Sequence, residues 1–168
     1  MLRILKKLLI CNYRKGNILI GESIITFSNC FIITIKVVKK NMKKILIVDD
    51  EINNRLLLEE ILEEFKENGV EIFLAENGEN ALSIIKRERP NLVFLDIMMP
   101  MINGYEVCNI VKKELKLLEI YIVLLTAKGQ AEDRSRGFDV LCDKYITKPF
   151  YFNEVLSIAE SVLEIKIN

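Results

Sequence analysis

The sequence predicts an α/β protein built on a five-stranded parallel sheet with helices on both faces. From residue 42 onward, five short apolar runs of β character alternate with five amphipathic stretches. That alternation is what a parallel sheet wrapped by helices requires. Several runs are apolar at nearly every position, as strands buried on both faces should be. Right-handed crossovers then leave only a few topologies open.

The elements follow in order. KILIV (44–48) is the first strand and NRLLLEEILEEF (54–65) the first helix. In that helix Leu57, Leu58, Ile61, Leu62 and Phe65 recur at helical spacing, while Glu59, Glu60, Glu63 and Glu64 fill the other face. EIFLA (71–75) and ENALSIIKRE (79–88) form the second pair, and NLVFL (91–95) and GYEVCNIVKKEL (104–115) the third. IYIVLL (120–125) precedes a helix over QAEDRSRGF (130–138), and DKYIT (143–147) precedes the last helix, YFNEVLSIAESVLEI (151–165). Asn77-Gly78, Asn103-Gly104, Gly129 and Lys148-Pro149 punctuate the joints.

A chain of 168 residues that is 51% hydrophobic suits one ordinary core with an appendage, and argues against disorder. The formal charge of zero hides a split. Residues 1–41 carry eight Lys or Arg against one acid, Glu22, whereas 42–168 carry 16 bases and 23 acids, so the segments stand at +7 and −7. The acidic body argues against nucleic-acid binding by that body. Cys11, Cys30, Cys108 and Cys142 lack CxxC spacing and there is no histidine, so zinc or haem ligation is unsupported. The thiols read as reduced, apolar residues of a cytoplasmic protein.

In open α/β sheets ligands bind beyond the carboxyl ends of strands, where strand order reverses. The first strand is followed by Asp49, Asp50 and Glu51, and the third by Asp96. The fourth ends at Thr126-Ala127 and the fifth at Thr147-Lys148-Pro149-Phe150. If the first and third strands are neighbours, three carboxylates converge with a hydroxyl and an ammonium. Clustered carboxylates repel unless a positive partner sits among them. Magnesium, which takes one or two carboxylates and accepts phosphate oxygens, is the natural one. With Lys148 as a second positive charge, the set suits phosphoryl transfer onto an aspartate. The competing reading, in which the acids only cap the following helices, accounts for neither Lys148 nor the isolated Asp96.

ILIVDDE, LVFLDIMMPMINGYEVC, IVLLTAKG and DKYITKPF, in this order and spacing, resemble the receiver domain of two-component response regulators. The resemblance runs from about Met42 to the C-terminus. It implies a flavodoxin-like, doubly wound fold with strand order 2-1-3-4-5. It implies that Asp96 takes a phosphoryl group from the phosphohistidine of a sensor histidine kinase or phosphotransfer protein. Asp50, Asp96 and the backbone carbonyl of Met98 would bind Mg²⁺, with Asp49 helping through water and Lys148 pairing with the phosphoryl group. Thr126 would swing towards a phosphoryl oxygen and Tyr145 turn inward behind it. These movements would reshape the face of the helix at 130–138 and the strand at 143–147, where a downstream protein would dock. That face, with the helix at 151–165, is also where a homodimer would form.

Two departures stand out. Leu141-Cys142 replace the small pair usual before DKYITKPF, so Leu141 needs another backbone solution wherever glycine would adopt a left-handed conformation. Asn103-Gly104 replaces the commoner Asp-Gly turn. Met98 offers no hydrogen bond to an attacking water and Lys128 could reach over the phosphoryl group, so an acyl phosphate lasting minutes or longer is expected.

Residues 1–41 contain no receiver motif, and their uncharged stretch, 23–35, is too short to span a bilayer. Three readings stand open: an over-extended reading frame with Met42 as the biological start, a basic membrane-surface or partner-binding extension, and a remnant of a preceding domain. Residues 42–168 form the receiver, with no membrane contact expected. With 18 residues after Phe150, enough for one helix, no direct nucleic-acid partner is expected either. The protein is expected to be a signalling module, not an enzyme. Two alternatives compete: a degenerate receiver used only for binding, and a phosphohydrolase with an aspartyl nucleophile. The latter commonly carries Asp-x-Asp after its first strand, which Asp49-Asp50-Glu51 lacks.

Overall fold

The computed structural model describes residues 42–127 and 141–167, together with the backbone of three strands before them. The chain divides into two units, Met1–Asn41 and Met42–Asn168. In the first unit, β1 (Asn17–Ile20), β2 (Ser23–Phe27) and β3 (Ile33–Val37) form an antiparallel sheet. Its register sets Ile18 opposite Ile25 and Ile25 opposite Ile35. No motif of the sequence predicts these strands.

The second unit holds β4 (Lys44–Val48), β5 (Glu71–Ala75), β6 (Leu92–Asp96), β7 (Tyr121–Ala127) and β8 (Lys144–Lys148) in one sheet, ordered β5-β4-β6-β7-β8 with every pair parallel. This is the expected 2-1-3-4-5 arrangement. The direction of winding reverses between β4 and β6.

Alternating side chains divide the sheet's interior into two cores. Leu46, Val48, Val93, Leu95, Ile122 and Leu124 face one side. Helices α3 (Gly78–Glu88) and α4 (Gly104–Asn109) cover it with Ala81, Ile85, Val107 and Cys108. Ile45, Ile47, Phe94, Val123 and Leu125 face the other side. There α1 (Ile52–Ile61), α2 (Glu63–Glu67) and α5 (Phe152–Leu163) supply Leu58, Phe65, Val155 and Ala159. Each such large apolar side chain contributes about 1.5–3 kcal/mol on burial, so the central strands have little freedom to shift register.

Local signals set the helix ends. The side chain of Asn77 accepts from the Asn80 amide at 2.9 Å to start α3, which stops at left-handed Arg89 before Pro90. A reciprocal capping box starts α4: Asn103 accepts from the Glu106 amide at 3.0 Å, and Glu106 accepts from the Asn103 amide at 2.9 Å. The structure amends the single helix expected over 54–65. It breaks at Leu62, and Leu57 is 47% exposed instead of facing the core. The helix expected over 104–115 widens after Asn109 into a π turn, Ile110–Glu114. Val111 and Lys112 are both buried there. The Lys112 ammonium reaches the Asp143 carboxylate at 2.8 Å and donates to the Leu118 carbonyl at 3.3 Å. Asp143 in turn accepts from the Ile122 amide at 2.8 Å and donates its own amide to the Ile122 carbonyl at 3.0 Å. This fastens the amino ends of β7 and β8. The helix expected at 130–138, and Lys128, lie outside the described residues. Leu141 is exposed, and Cys142 packs against the core of α3 and α4.

Candidate functional site

Strand register brings the expected residues to one edge. Val48 pairs with Leu95, so Asp49 and Asp96 leave β4 and β6 side by side; Thr126 pairs with Thr147, and Ala127 with Lys148. One oxygen from each of Asp49, Asp50 and Asp96 lies within 4.8 Å of the others. The Lys148 ammonium reaches Asp49 at 2.7 Å and Asp96 at 2.8 Å. Asp49 is fully buried and Asp96 nearly so, while Asp50 is exposed.

Each position has a local cause. Gly104 lies against the Asp96 backbone, where a Cβ would collide with the Asp96 carbonyl, and its amide donates to the Ile97 carbonyl at 3.0 Å. The α4 cap is thereby locked to the end of β6. Glu51, not Asp49 or Asp50, occupies the N-cap of α1, and its side chain makes no cap bond. The Asp49 carboxylate instead turns back to accept from the Glu51 amide at 3.0 Å. Helix capping therefore does not explain this acidic pair.

Burial pushes the Asp96 carboxyl above the usual carboxylate range, and the Lys148 ammonium opposes this without cancelling it. Burial pulls the Lys148 ammonium down, but the hydrogen bonds to Asp49 and Asp96 and the charges of those two acids together outweigh it and hold the ammonium above the ordinary lysine range. The three carboxylates and Lys148 together carry two net negative charges. A hard divalent cation fits that donor set, since it favours oxygen ligands and offsets two charges.

The remaining expected residues sit around this cluster. The Thr126 hydroxyl is buried and donates to the Ala127 carbonyl at 3.1 Å. Tyr145, opposite Leu124 in the β7–β8 register, is half-buried and packs against the core of α3 and α4. The Met98 side chain is exposed, and among the described residues no donor bonds to its carbonyl. A groove of about 340 Å³ beside the site is lined by Asn54, Leu57, Lys148, Pro149 and Phe150. Ile52 and Leu56 are also exposed on α1.

Sequence reasoning missed Asn54 and Arg55. The Asn54 amide donates to both oxygens of Asp49, at 3.1 and 3.2 Å. The Arg55 guanidinium donates to the backbone carbonyls of Asp49 at 2.6 Å and Asp50 at 3.2 Å. A polar pair opening an amphipathic helix reads as solvated surface, so nothing in the pattern distinguished them.

A family model for the response regulator receiver domain matches residues 45–160. The chain belongs to that family. A probable transcriptional regulator, ycf27, of Cyanophora paradoxa is 45% identical over 123 residues, covering 73% of this chain and 49% of the relative. The alkaline phosphatase synthesis transcriptional regulatory protein PhoP of Bacillus subtilis (strain 168) is 39% identical over 121 residues, covering 72% and 48%. A crystal structure of a putative response regulator from Chloroflexus aurantiacus superposes with a TM-score of 0.63 at 30% identity, covering 74% of this chain and 99% of that one. The chain thus spans about half the length of the curated relatives it matches.

These relatives correct one expectation, that the protein has no direct nucleic-acid partner. They are named as transcriptional regulators. The acidic charge of residues 42–168 bears only on a segment about half their length, and so does not decide what the whole protein touches. Among the described residues, no helix is long and apolar enough to cross a membrane.

Proposed function

We propose that Asp96 is the phosphoacceptor of this receiver, loaded from the phosphohistidine of a sensor histidine kinase or phosphotransfer protein. The observation that carries this reading is the Lys148 ammonium shared between Asp49 and Asp96 at 2.7 and 2.8 Å. It is a fixed positive charge beside a carboxylate already burdened by burial. An Asp96 oxygen attacks phosphorus, the P–N bond to the donor imidazole breaks, and the bonding pair returns to that nitrogen. Lys148 stabilises charge on the phosphoryl oxygens.

Asp50, Asp96 and the Met98 carbonyl would hold Mg²⁺, with Asp49 acting through water. The ion supplies further positive charge against the phosphoryl oxygens when bound. Thr126 turns from the Ala127 carbonyl to a phosphoryl oxygen, and Tyr145 follows inward, a two-state element biased by a new charged contact. The exposed apolar residues of α1 and the adjoining groove form the surface on which the protein donor rests. Transcriptional control is the output we favour, because the relatives are transcriptional regulators. Residues 42–168 form the receiver, and residues 1–41 stand outside it.

Incubation with acetyl phosphate and Mg²⁺ followed by intact mass tests the reading. One phosphoryl mass is expected on the wild-type chain and none on Asp96→Ala. Unlabelled wild type, or equal labelling of Asp96→Ala, overturns it. Intact mass of the native protein also shows whether residues 1–41 are present.

A further inference from the structure

We infer that Asn54 is a positioning residue that keeps Asp49 out of direct contact with the cation; this rests on the assignment above of Asp50 and Asp96 to Mg²⁺. An ionised carboxylate offers about four lone-pair positions. On Asp49 all are engaged: Oδ1 accepts from the Glu51 amide at 3.0 Å and the Asn54 amide at 3.1 Å, and Oδ2 from Asn54 at 3.2 Å and Lys148 at 2.7 Å. No position remains for a metal. Among the described residues, by contrast, no donor reaches the Asp50 carboxylate; Arg55 contacts only the Asp50 carbonyl.

The residue type matters. Through an N–H shared by both oxygens, the amide covers the inner side of the carboxylate while adding no charge, so the cluster keeps the net negative charge that draws a divalent ion. A lysine at position 54 would halve the cluster's net negative charge, and a leucine would leave two buried acceptors open to the metal. Arg55, the next residue, fixes the same turn by its backbone carbonyls. Asn54 thereby separates two tasks among three similar carboxylates. Asp49 anchors Lys148, and Asp50 and Asp96 remain for the ion.

The test titrates Mg²⁺ calorimetrically into the full 168-residue chain and follows acetyl phosphate labelling by intact mass. Asn54→Leu frees Asp49 to ligate, so Mg²⁺ binds about 3- to 10-fold tighter, as expected for one more carboxylate ligand. Labelling at saturating Mg²⁺ slows by about 10-fold, because Lys148 loses a fixed partner. Asn54→Ala, which also removes the amide, carries the same expectation and guards against a leucine variant that does not fold. Asn54→Ser keeps one donor and returns both quantities towards wild type. General loss of folding weakens both readouts, so their opposite movement marks positioning. Unchanged or weaker Mg²⁺ binding in the leucine and alanine variants, with wild type binding and labelled, overturns the inference alone. A wild-type chain that takes up no Mg²⁺ overturns the site reading and the inference together.

Discussion

The Lys148 ammonium stands 2.8 Å from the Asp96 carboxylate although β7 separates the strands that carry them. Lys148 reaches across the end of its neighbour because Thr126 and Ala127, at the tip of β7, place no charged side chain in the way. It meets Asp49 in the same place. One cation therefore serves two buried acids, fewer positive charges than the cluster calls for.

That shortfall has a pH signature. Asp96 holds its proton more tightly in the folded state than an ordinary carboxyl does, first because of burial. For an acid shifted upwards, ionisation costs folding stability, and the cost disappears as pH falls through the folded pKa. Asp96→Asn is therefore expected to melt higher than wild type at pH 7 in EDTA. The expected gain is about 2–4 °C, what ~1 kcal/mol produces in a chain of this size. Thermal melts from pH 4 to 8 should show the gap closing in acid, and a constant gap would refute the assignment.

Gly104 gives a test of how Asp96 is held. A Cβ there meets the Asp96 backbone itself, not a side chain that can swing aside. Gly104→Ala is expected to cost about 1–3 kcal/mol in urea denaturation, the range for overpacking. It should also slow labelling of Asp96 in protein that remains folded. A variant as stable and as readily labelled as wild type would show that the contact relaxes at no cost.

Leu57 separates docking from chemistry. It lines the groove beside Lys148 and contributes little to the core, being 47% exposed. Leu57→Asp should reduce transfer from a phosphohistidine protein by about 10-fold, a typical interface penalty of ~1.4 kcal/mol. Acetyl phosphate labelling should be unchanged. Equal loss with both donors would move Leu57 from the docking surface to the fold.

Cys108 should be chemically silent. Burial, above all, pushes its thiol up to about 12, and the thiolate is the reactive form. Iodoacetamide at pH 8 should leave Cys108 unmodified until denaturant is added, as read by peptide mass mapping. Modification of the native protein at a free-thiol rate would contradict the packing around α4.

The fold was legible from residue 42 onward because strands buried on both faces must be apolar throughout. KILIV coincides with β4, buried from Ile45 to Val48, whereas EIFLA coincides with β5, a partly buried edge strand that its β-forming residues still reveal. The principal acids were legible because a doubly wound sheet gathers its chemistry at strand ends. What stayed hidden depends on side chains whose type has two uses. Asn54 and Arg55 resemble helix surface, yet they turn back onto Asp49 and Asp50. Lys112 resembles a solvated lysine, yet the π turn buries it against Asp143. Strands β1 to β3 carry none of the motifs from which the other strands are read.

The Lys112–Asp143 pair makes β8 a strut fixed at both ends. Its root is clamped where Asp143 meets both Lys112 and the Ile122 backbone, and its far end, Lys148, is held in turn by Asp49 and Asp96. Five residues at roughly 3.3 Å each set an arm of about 17 Å. Charge thus pins both ends of the strand, and one five-residue span ties the acidic rim of the sheet to its floor.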